Sequence, residues 1–131
     1  MAGAGSPDEI ALLKAENQEL RIRIQETERQ LKELHADQSL LESLMETIPD
    51  DIYFKDREGR FLRINRAKAL RSGLSDPRLA CGMTDADFFQ EEHADASRAK
   101  EREIMEHGTP LIDEVEKLIW PDGHTSWVSA T

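Results

Sequence analysis

Apolar residues recur at alternating intervals of three and four positions from residue 7 to residue 48. Ser6, Pro7 and Glu9 mark the start of a helix, because a serine cap, a proline at the first helical position and a glutamate three residues after the cap suit the free N–H groups. A heptad spacing held this long predicts a left-handed coiled coil, and a lone solvated helix is the alternative. The predicted seam comprises Ile10, Leu13, Asn17, Leu20, Ile24, Thr27, Leu31, Leu34, Gln38, Leu41, Met45 and Ile48.

Charged residues beside this seam favour two parallel strands in register. In that arrangement one flanking pair, Asp37 with Glu42, repels, and three pairs attract. Asn17 lies at a seam position where its amide is satisfied across a two-fold axis only if register and strand number are correct. The pattern therefore predicts a homodimer through a parallel coiled coil. The attractive pairs are Glu9 with Lys14, Glu16 with Arg21 and Arg23 with Glu28.

After Pro49, which disfavours helical geometry at Ile48, the apolar runs shorten and alternate. The pattern predicts one hairpin at 51–56 and 60–65 and another at 111–120 and 124–131. Between the hairpins it predicts short helices starting after Asn65 and Asp76, a capping box at Thr84 and Asp87, and a longer helix at about 91–107 that ends at Gly108. The sum is an α+β domain whose antiparallel sheet carries helices on one face.

The composition limits the partners that this chain can have. It has 131 residues and a formal net charge of −10, which disfavours a nucleic-acid or anionic-membrane partner. No apolar run approaches the ~20 residues of a membrane span, and the single cysteine, Cys81, fits a reducing cytoplasm. We expect a cytoplasmic protein with a disordered segment at 1–6, a dimerisation helix at 7–48 and one domain at 49–131.

The sequence of the predicted domain resembles a known family. The hairpin IYFKDREGRFLRIN after Asp51, the segment TDADFF from Thr84 and the final hairpin from Leu111 follow in the order that PAS sensory domains of bacterial signalling proteins show. The resemblance implies a sensory and dimerisation module that signals through the coiled coil to an effector domain, a histidine kinase of a two-component system or a diguanylate cyclase. A purely structural dimerisation module with a filled core is the alternative.

The resemblance also implies a five-stranded sheet, whereas the pattern predicts four strands. The missing strand is the central one, between the strands at 51–56 and 124–131. We therefore expect those two strands to leave an open gap between them, because each has an unpaired edge. We also expect the natural protein to continue past Thr131 with a further strand, and the present chain either to pair its exposed edges with another chain or to be disordered there.

The search for reactive groups finds no Gly-rich phosphate loop, zinc-protease helix, paired-cysteine motif or nucleophile elbow, so we expect no enzyme activity. We expect no metal and no cofactor, with a haem held by His93 or His107 as the alternative that the PAS resemblance implies. His93 is predicted to face water. Cys81 does not lie in the reactive-cysteine motif of flavin-binding relatives, and we expect it to be a small buried filler.

Strand alternation and helix position together predict the residues that face the interior of the domain. These residues line a ligand pocket or, in the alternative, simply fill the core. Trp120 and Trp127 are predicted to cover the opposite face of the sheet. The interior candidates are Ile52, Phe54, Leu62, Ile64, Leu70, Phe88, Phe89, Ile104 and Met105.

Overall fold

The computed structural model describes Gly3 and residues 5–131, and the chain divides into two compact units with the boundary between Leu44 and Met45. The first unit is a single helix. Helix α1 comprises Pro7–Thr47 and crosses this boundary. The disorder predicted for residues 1–6 falls partly on residues 1, 2 and 4, which lie outside the described residues.

The start of α1 confirms the predicted capping box. The Glu9 N–H donates to Ser6 Oγ at 3.3 Å, and the Ser6 N–H donates to Glu9 Oε2 at 3.2 Å. Every described residue up to Leu44 is exposed. The apolar residues of the predicted seam up to Leu41 therefore have no cover within one copy of the chain.

Ion pairs along the exposed surface of α1 join residues three or four apart. Arg29 pairs with Glu26 and Glu33, each at 2.6 Å, and Arg23 pairs with Glu19 at 2.8 Å. Such exposed pairs each contribute a few tenths of a kcal/mol. They stabilise the helix within a single copy. Arg23 pairs with Glu19 of its own helix, whereas the predicted dimer pairs it with Glu28 of the second copy.

Two positions of the predicted seam, Met45 and Ile48, are not exposed and so are not available to a second helix. Met45 is 5% exposed and belongs to the second unit, so its side chain is already buried without a second copy. Ile48 lies beyond the helix and is half-buried. The physical reason is that Met45–Thr47, the last residues of α1, already belong to the second unit, and Pro49 prevents the helix from continuing.

The second unit contains the predicted strands and helices, in the predicted order. The first hairpin, β1 and β2, is followed by α2, two single 3₁₀ turns, the longer helix α3 and the second hairpin, β3 and β4. The bounds are β1 Tyr53–Lys55, β2 Phe61–Ile64, α2 Arg66–Arg71, the 3₁₀ turns Pro77–Ala80 and Asp85–Asp87, α3 Glu91–His107, β3 Glu114–Ile119 and β4 Thr125–Ala130. The predicted α+β fold, an antiparallel sheet with helices, is confirmed.

The strands form two separate antiparallel ladders in the described residues, β1 with β2 and β3 with β4. In the second hairpin the register runs without interruption from Glu114 opposite Ala130 to Ile119 opposite Thr125. The first hairpin has an irregularity between Phe54 and Lys55. No ladder joins β1 to β4 in the described residues, so both strands keep one unpaired edge, as the count of four strands predicts.

Local signals in the sequence explain the turns. Gly59 has a φ of 80°, which a glycine adopts without strain, and the side chain of Arg98 lies against it. Asn65 caps α2 as predicted, since its Oδ1 accepts from the Lys68 N–H at 3.1 Å. The predicted capping box of Thr84 and Asp87 is also present.

The core of the second unit lies between the two hairpins and the helices. Phe61 is 1% exposed and meets the Phe88 ring edge-on at 5.6 Å between centroids. The ring centroids of Phe89 and Trp120 lie 5.2 Å apart, so Trp120 packs on the core side of the second hairpin. Trp127 is exposed, and the predicted common face for the two tryptophans is wrong. The buried core cluster comprises Phe61, Ile64, Ala69, Ala80, Phe88, Phe89 and Leu118.

Candidate ligand cleft

A cleft of about 700 Å³ opens between the unpaired edges of β1 and β4. Its volume is in the range of small-molecule sites, roughly 300–1,000 Å³. Apolar, aromatic and charged side chains all reach it, from both hairpins, α2 and α3. The lining residues are Asp50, Asp51, Ile52, Tyr53, Lys68, Arg71, Asp85, Phe89, Ser97, Glu116, Leu118, Val128, Ser129, Ala130 and Thr131.

Lys68 is a buried cation in this cleft, since the residue is only 5% exposed. Its ammonium lies 5.0 Å from the centre of the Phe89 ring and 5.7 Å from that of Tyr53. The nearest carboxylate oxygen is Asp51 Oδ2, at 3.8 Å. Burial lowers the pKa of Lys68, and Asp51 opposes this effect. The aromatic faces attract the cation, but no close ion pair neutralises it.

Asp51 stands between two cations. Its Oδ1 is 3.3 Å from Arg71 Nη1, while Oδ2 faces Lys68. Oδ1 is buried and makes no hydrogen bond of good geometry within the described part of the chain. Arg71 also donates to the Pro49 carbonyl at 3.3 Å. This end of the cleft therefore contains polar groups whose hydrogen-bonding capacity is only partly used.

A second lysine near the cleft is fully paired. Lys55 Nζ contacts Asp85 Oδ2 at 2.6 Å and also contacts Glu101, and its side chain is nearly buried. Burial disfavours the charged form of Lys55, yet hydrogen bonds to Asp85 and Glu101 outweigh it and raise the pKa. Lys55 thus remains cationic and ties β1 to the second 3₁₀ turn and α3.

Asn65 connects the segment after α1 to the helix that carries Lys68. It is fully buried, and its Nδ2 donates to the carbonyls of Asp50 at 2.7 Å and Ile48 at 3.3 Å. Its Oδ1 accepts from the N–H groups of Ile52 at 3.0 Å and Lys68 at 3.1 Å. The whole amide is therefore used to hold residues 48–52 against the start of α2.

The interior candidates predicted from the sequence are divided by the structure. Ile52 and Phe89 line the cleft, Ile64 and Phe88 are buried, and Ile104 is half-buried. The other four are exposed, which corrects their placement in the interior: Phe54, Leu62, Leu70 and Met105.

The corrections have local causes. In the short strand β2 both end residues, Phe61 and Ile64, are buried, so alternation counted back from Ile64 selected Leu62 wrongly. In α2 the inward face is formed by Asn65, Lys68 and Ala69, which leaves Leu70 outside. The spacing i, i+3, i+4 from Asn65 is the signal in the sequence that selects Lys68, which the apolar pattern missed.

Two single residues also differ from prediction. His93 is half-buried, and the centroid of its ring lies 4.8 Å from that of Phe89. The prediction that His93 faces water is therefore only partly correct. Cys81 is exposed, and its predicted role as a buried filler is wrong, since the neighbouring Ala80 is the residue of this segment that is buried in the core.

Two searches of the described residues returned nothing. They contain no group of three or more His, Cys, Asp and Glu side chains arranged to hold a metal ion. Within the same part of the chain, no helix has both the length and the apolar character that crossing a membrane requires.

Comparison with known proteins identifies the family. The sequence profile described as PAS fold matches residues 45–131, more than half of the chain. The crystal structure of the PAS domain of an HTR-like protein from Haloarcula marismortui is similar with a TM-score of 0.51 and 24% identity, over 76% of this chain and 80% of that chain. At this identity the similarity shows a shared fold. No curated protein matches. From its profile match and its fold, the chain belongs to the PAS fold family of sensory and signalling domains.

Proposed function

We propose that this chain is a regulatory module in which a PAS domain senses a signal and two copies associate through a parallel coiled coil of α1. The observation that carries the proposal is the continuous exposed apolar stripe of α1. In a single copy its leucines and isoleucines are about half exposed, for example Leu20 at 55% and Ile24 at 55%. A second copy would bury this stripe at a gain of about 1.5–3 kcal/mol for each fully buried side chain.

The route of the signal in this proposal is the end of α1. Asn65 holds the carbonyls of Ile48 and Asp50 while it caps α2, and the Lys68 ammonium of α2 faces the cleft. A change in the cleft that moves α2 would therefore move the segment that follows α1. We propose that this alters the rotation or separation of the two helices near Leu41, just before the buried Met45.

The effector in this proposal is a histidine kinase or diguanylate cyclase domain in a larger bacterial signalling protein. The module itself would regulate and would not catalyse. A cytoplasmic location, without nucleic acid or membrane as partner, agrees with the net charge of −10 and the single cysteine. A purely structural dimerisation module is the alternative, and the match to the PAS fold, a family of sensory and signalling domains, favours the sensory function over it.

Sedimentation equilibrium tests the association. We expect a dimer at micromolar concentration, and the double variant Leu20→Lys with Leu34→Lys should raise the dissociation constant at least about a hundredfold, because two charges enter the apolar seam. The matched control is Ile22→Lys with Leu40→Lys. These two residues are equally exposed in one copy but lie off the seam, so this variant should remain a dimer. A monomeric parent protein, or equal effects of the two variants, would contradict the proposal.

A further inference from the structure

The second hairpin reverses the usual placement of apolar and charged side chains. An antiparallel sheet with one covered face normally turns apolar residues to the core and charged residues to water. In β3, however, Glu114 and Glu116 lie on the same side as the buried core residues, and Lys100 of α3 pairs with them at 2.6 and 2.8 Å. Val115 and Trp127 point the other way and are 66% and 68% exposed. The apolar side chains therefore lie on the side of the hairpin that the domain itself leaves uncovered.

This uncovered side, the outer face of the second hairpin, also carries an unpaired cation. Lys117 lies directly opposite Trp127 in the ladder and two residues from Val115. It is exposed, and it forms no ion pair with any residue that the structure describes. No carboxylate lies on this face, although the chain has 27 Asp and Glu residues against 17 Lys and Arg residues. Strand alternation assigns to the face Val115, Lys117, Ile119, Thr125, Trp127 and Ser129.

The size of the outer face fits one helix. Two paired strands span about 10 Å, which is close to the diameter of a helix with its side chains. Strand β3 has six residues, so it runs for about 20 Å, the length of a helix of ~13 residues. A helix is also one of the two elements that cover a sheet face in folded domains, the other being a second sheet.

The charge of the outer face selects between these partners. The same face of a second copy would bring another Lys117 and no carboxylate, so neither ammonium would gain an ion partner. A helix with apolar residues flanked by Asp or Glu would supply both an apolar stripe and a carboxylate. The net charge of −10 opposes an acidic partner only weakly, because at ~0.15 M salt charges act mainly within about 8 Å.

We infer that the outer face of the second hairpin binds an acidic amphipathic helix of a partner protein. The apolar stripe of that helix covers Val115 and Trp127, and one of its carboxylates pairs with Lys117. Large aromatic side chains are the residues that most often dominate such interfaces, and Trp127 is the largest on this face. The inference goes beyond the proposed function, because the face lies within one copy of the chain and does not require the coiled coil.

Fluorescence anisotropy with a synthetic peptide tests the inference. The probe is a stapled helix of ~14 residues with leucines along one face and glutamates beside them, and its counterpart has lysines in place of the glutamates. The glutamate peptide should bind the parent protein with a dissociation constant of about 10–100 µM at ~0.15 M salt. Lys117→Glu should weaken this binding at least about tenfold and strengthen binding of the lysine peptide.

Trp127→Ser should weaken binding of the glutamate peptide by at least about tenfold as well, because it removes most of the apolar contact. Both variants should stay folded, since both side chains are exposed. The matched control is Arg102→Glu, which makes the same charge reversal at an exposed arginine of α3 and should bind both peptides as the parent protein does. The Leu20→Lys, Leu34→Lys variant should also bind the glutamate peptide unchanged.

The inference is overturned if the glutamate peptide does not bind, or if Lys117→Glu weakens its binding no more than Arg102→Glu does. It is also overturned if Trp127→Ser weakens the dimer in sedimentation, because the face would then belong to a second copy. A dimer that fails to bind the peptide would overturn this inference alone. A monomer that binds it through Lys117 would contradict the proposed function and leave the outer face as a partner site.

Discussion

The two units of this chain use apolar residues in opposite ways. In α1 up to Leu44 every described residue is exposed, although leucine or isoleucine recurs along the predicted seam. From Met45 onwards the chain buries a cluster around Phe61 and Phe88 without any second copy. A single helix has no second layer against which to bury its stripe, which is why we propose that a second copy covers its apolar residues. The PAS domain has its own layers of strands and helices, which bury this cluster within one copy.

Replacing Phe61 by Ala should have the largest effect on stability, and that effect should be confined to the second unit. Phe61 is 1% exposed, so its loss should reduce the free energy of unfolding of residues 45–131 by about 3–5 kcal/mol. Leu62→Ala changes the neighbouring exposed side chain and should cost less than about 1 kcal/mol. Urea unfolding followed by tryptophan fluorescence measures both. Phe61→Ala should leave the dissociation constant of the dimer unchanged. If Phe61→Ala weakened the dimer as much as the Leu20→Lys, Leu34→Lys variant does, the two units would depend on each other, which would contradict this comparison.

The open edges of β1 and β4 predict the next largest effect. We propose that a longer form of the chain supplies a strand between them, since unpaired strand edges beside a cleft leave backbone groups without partners. A protein extended by ~15 native residues should melt about 10 °C higher than the 131-residue chain. An extension of equal length made of Gly and Ser is the control. Equal melting temperatures for the two extended proteins would contradict the added strand.

Asn17 offers a smaller test, confined to α1. Its replacement by Leu should stabilise the associated helices by about 2 kcal/mol, because an apolar side chain then fills the seam. The same change should broaden the distribution of oligomers seen by native mass spectrometry, since the amide no longer selects strand number and register. If Asn17→Leu remains a uniform dimer, then Asn17 does not set the oligomeric state.

The sequence predicted most of the fold because its signals are local. The capping boxes at Ser6 and Thr84, the cap at Asn65 and the break at Pro49 each act within a few residues, and the structure contains all of them. The family resemblance is likewise carried by short segments in order, and the profile match confirms the PAS fold.

The cleft was predictable only in part, because it depends on contacts between distant segments. Ile52 and Phe89, two of the interior candidates, line the cleft, and so do Tyr53, Lys68 and Asp51, which the apolar pattern did not select. An apolar pattern ignores a lysine, and only the packing of Phe89 and Tyr53 shows that Lys68 is inside. The opposite error occurred at Leu70 and Met105, where apolar residues on helices were placed inside and are exposed.

Oxidative cross-linking at Leu13 is the most direct measurement of the central claim, a parallel dimer through α1. Leu13→Cys would be made in a Cys81→Ser background, since Cys81 is the only other cysteine and is exposed. In a parallel, in-register pair the two introduced thiols lie side by side across the seam. In an antiparallel pair of helices Pro7–Thr47 they would be about 40 Å apart. We predict nearly complete disulfide-linked dimer on mild oxidation. A protein that stays uncrosslinked at micromolar concentration would contradict the account.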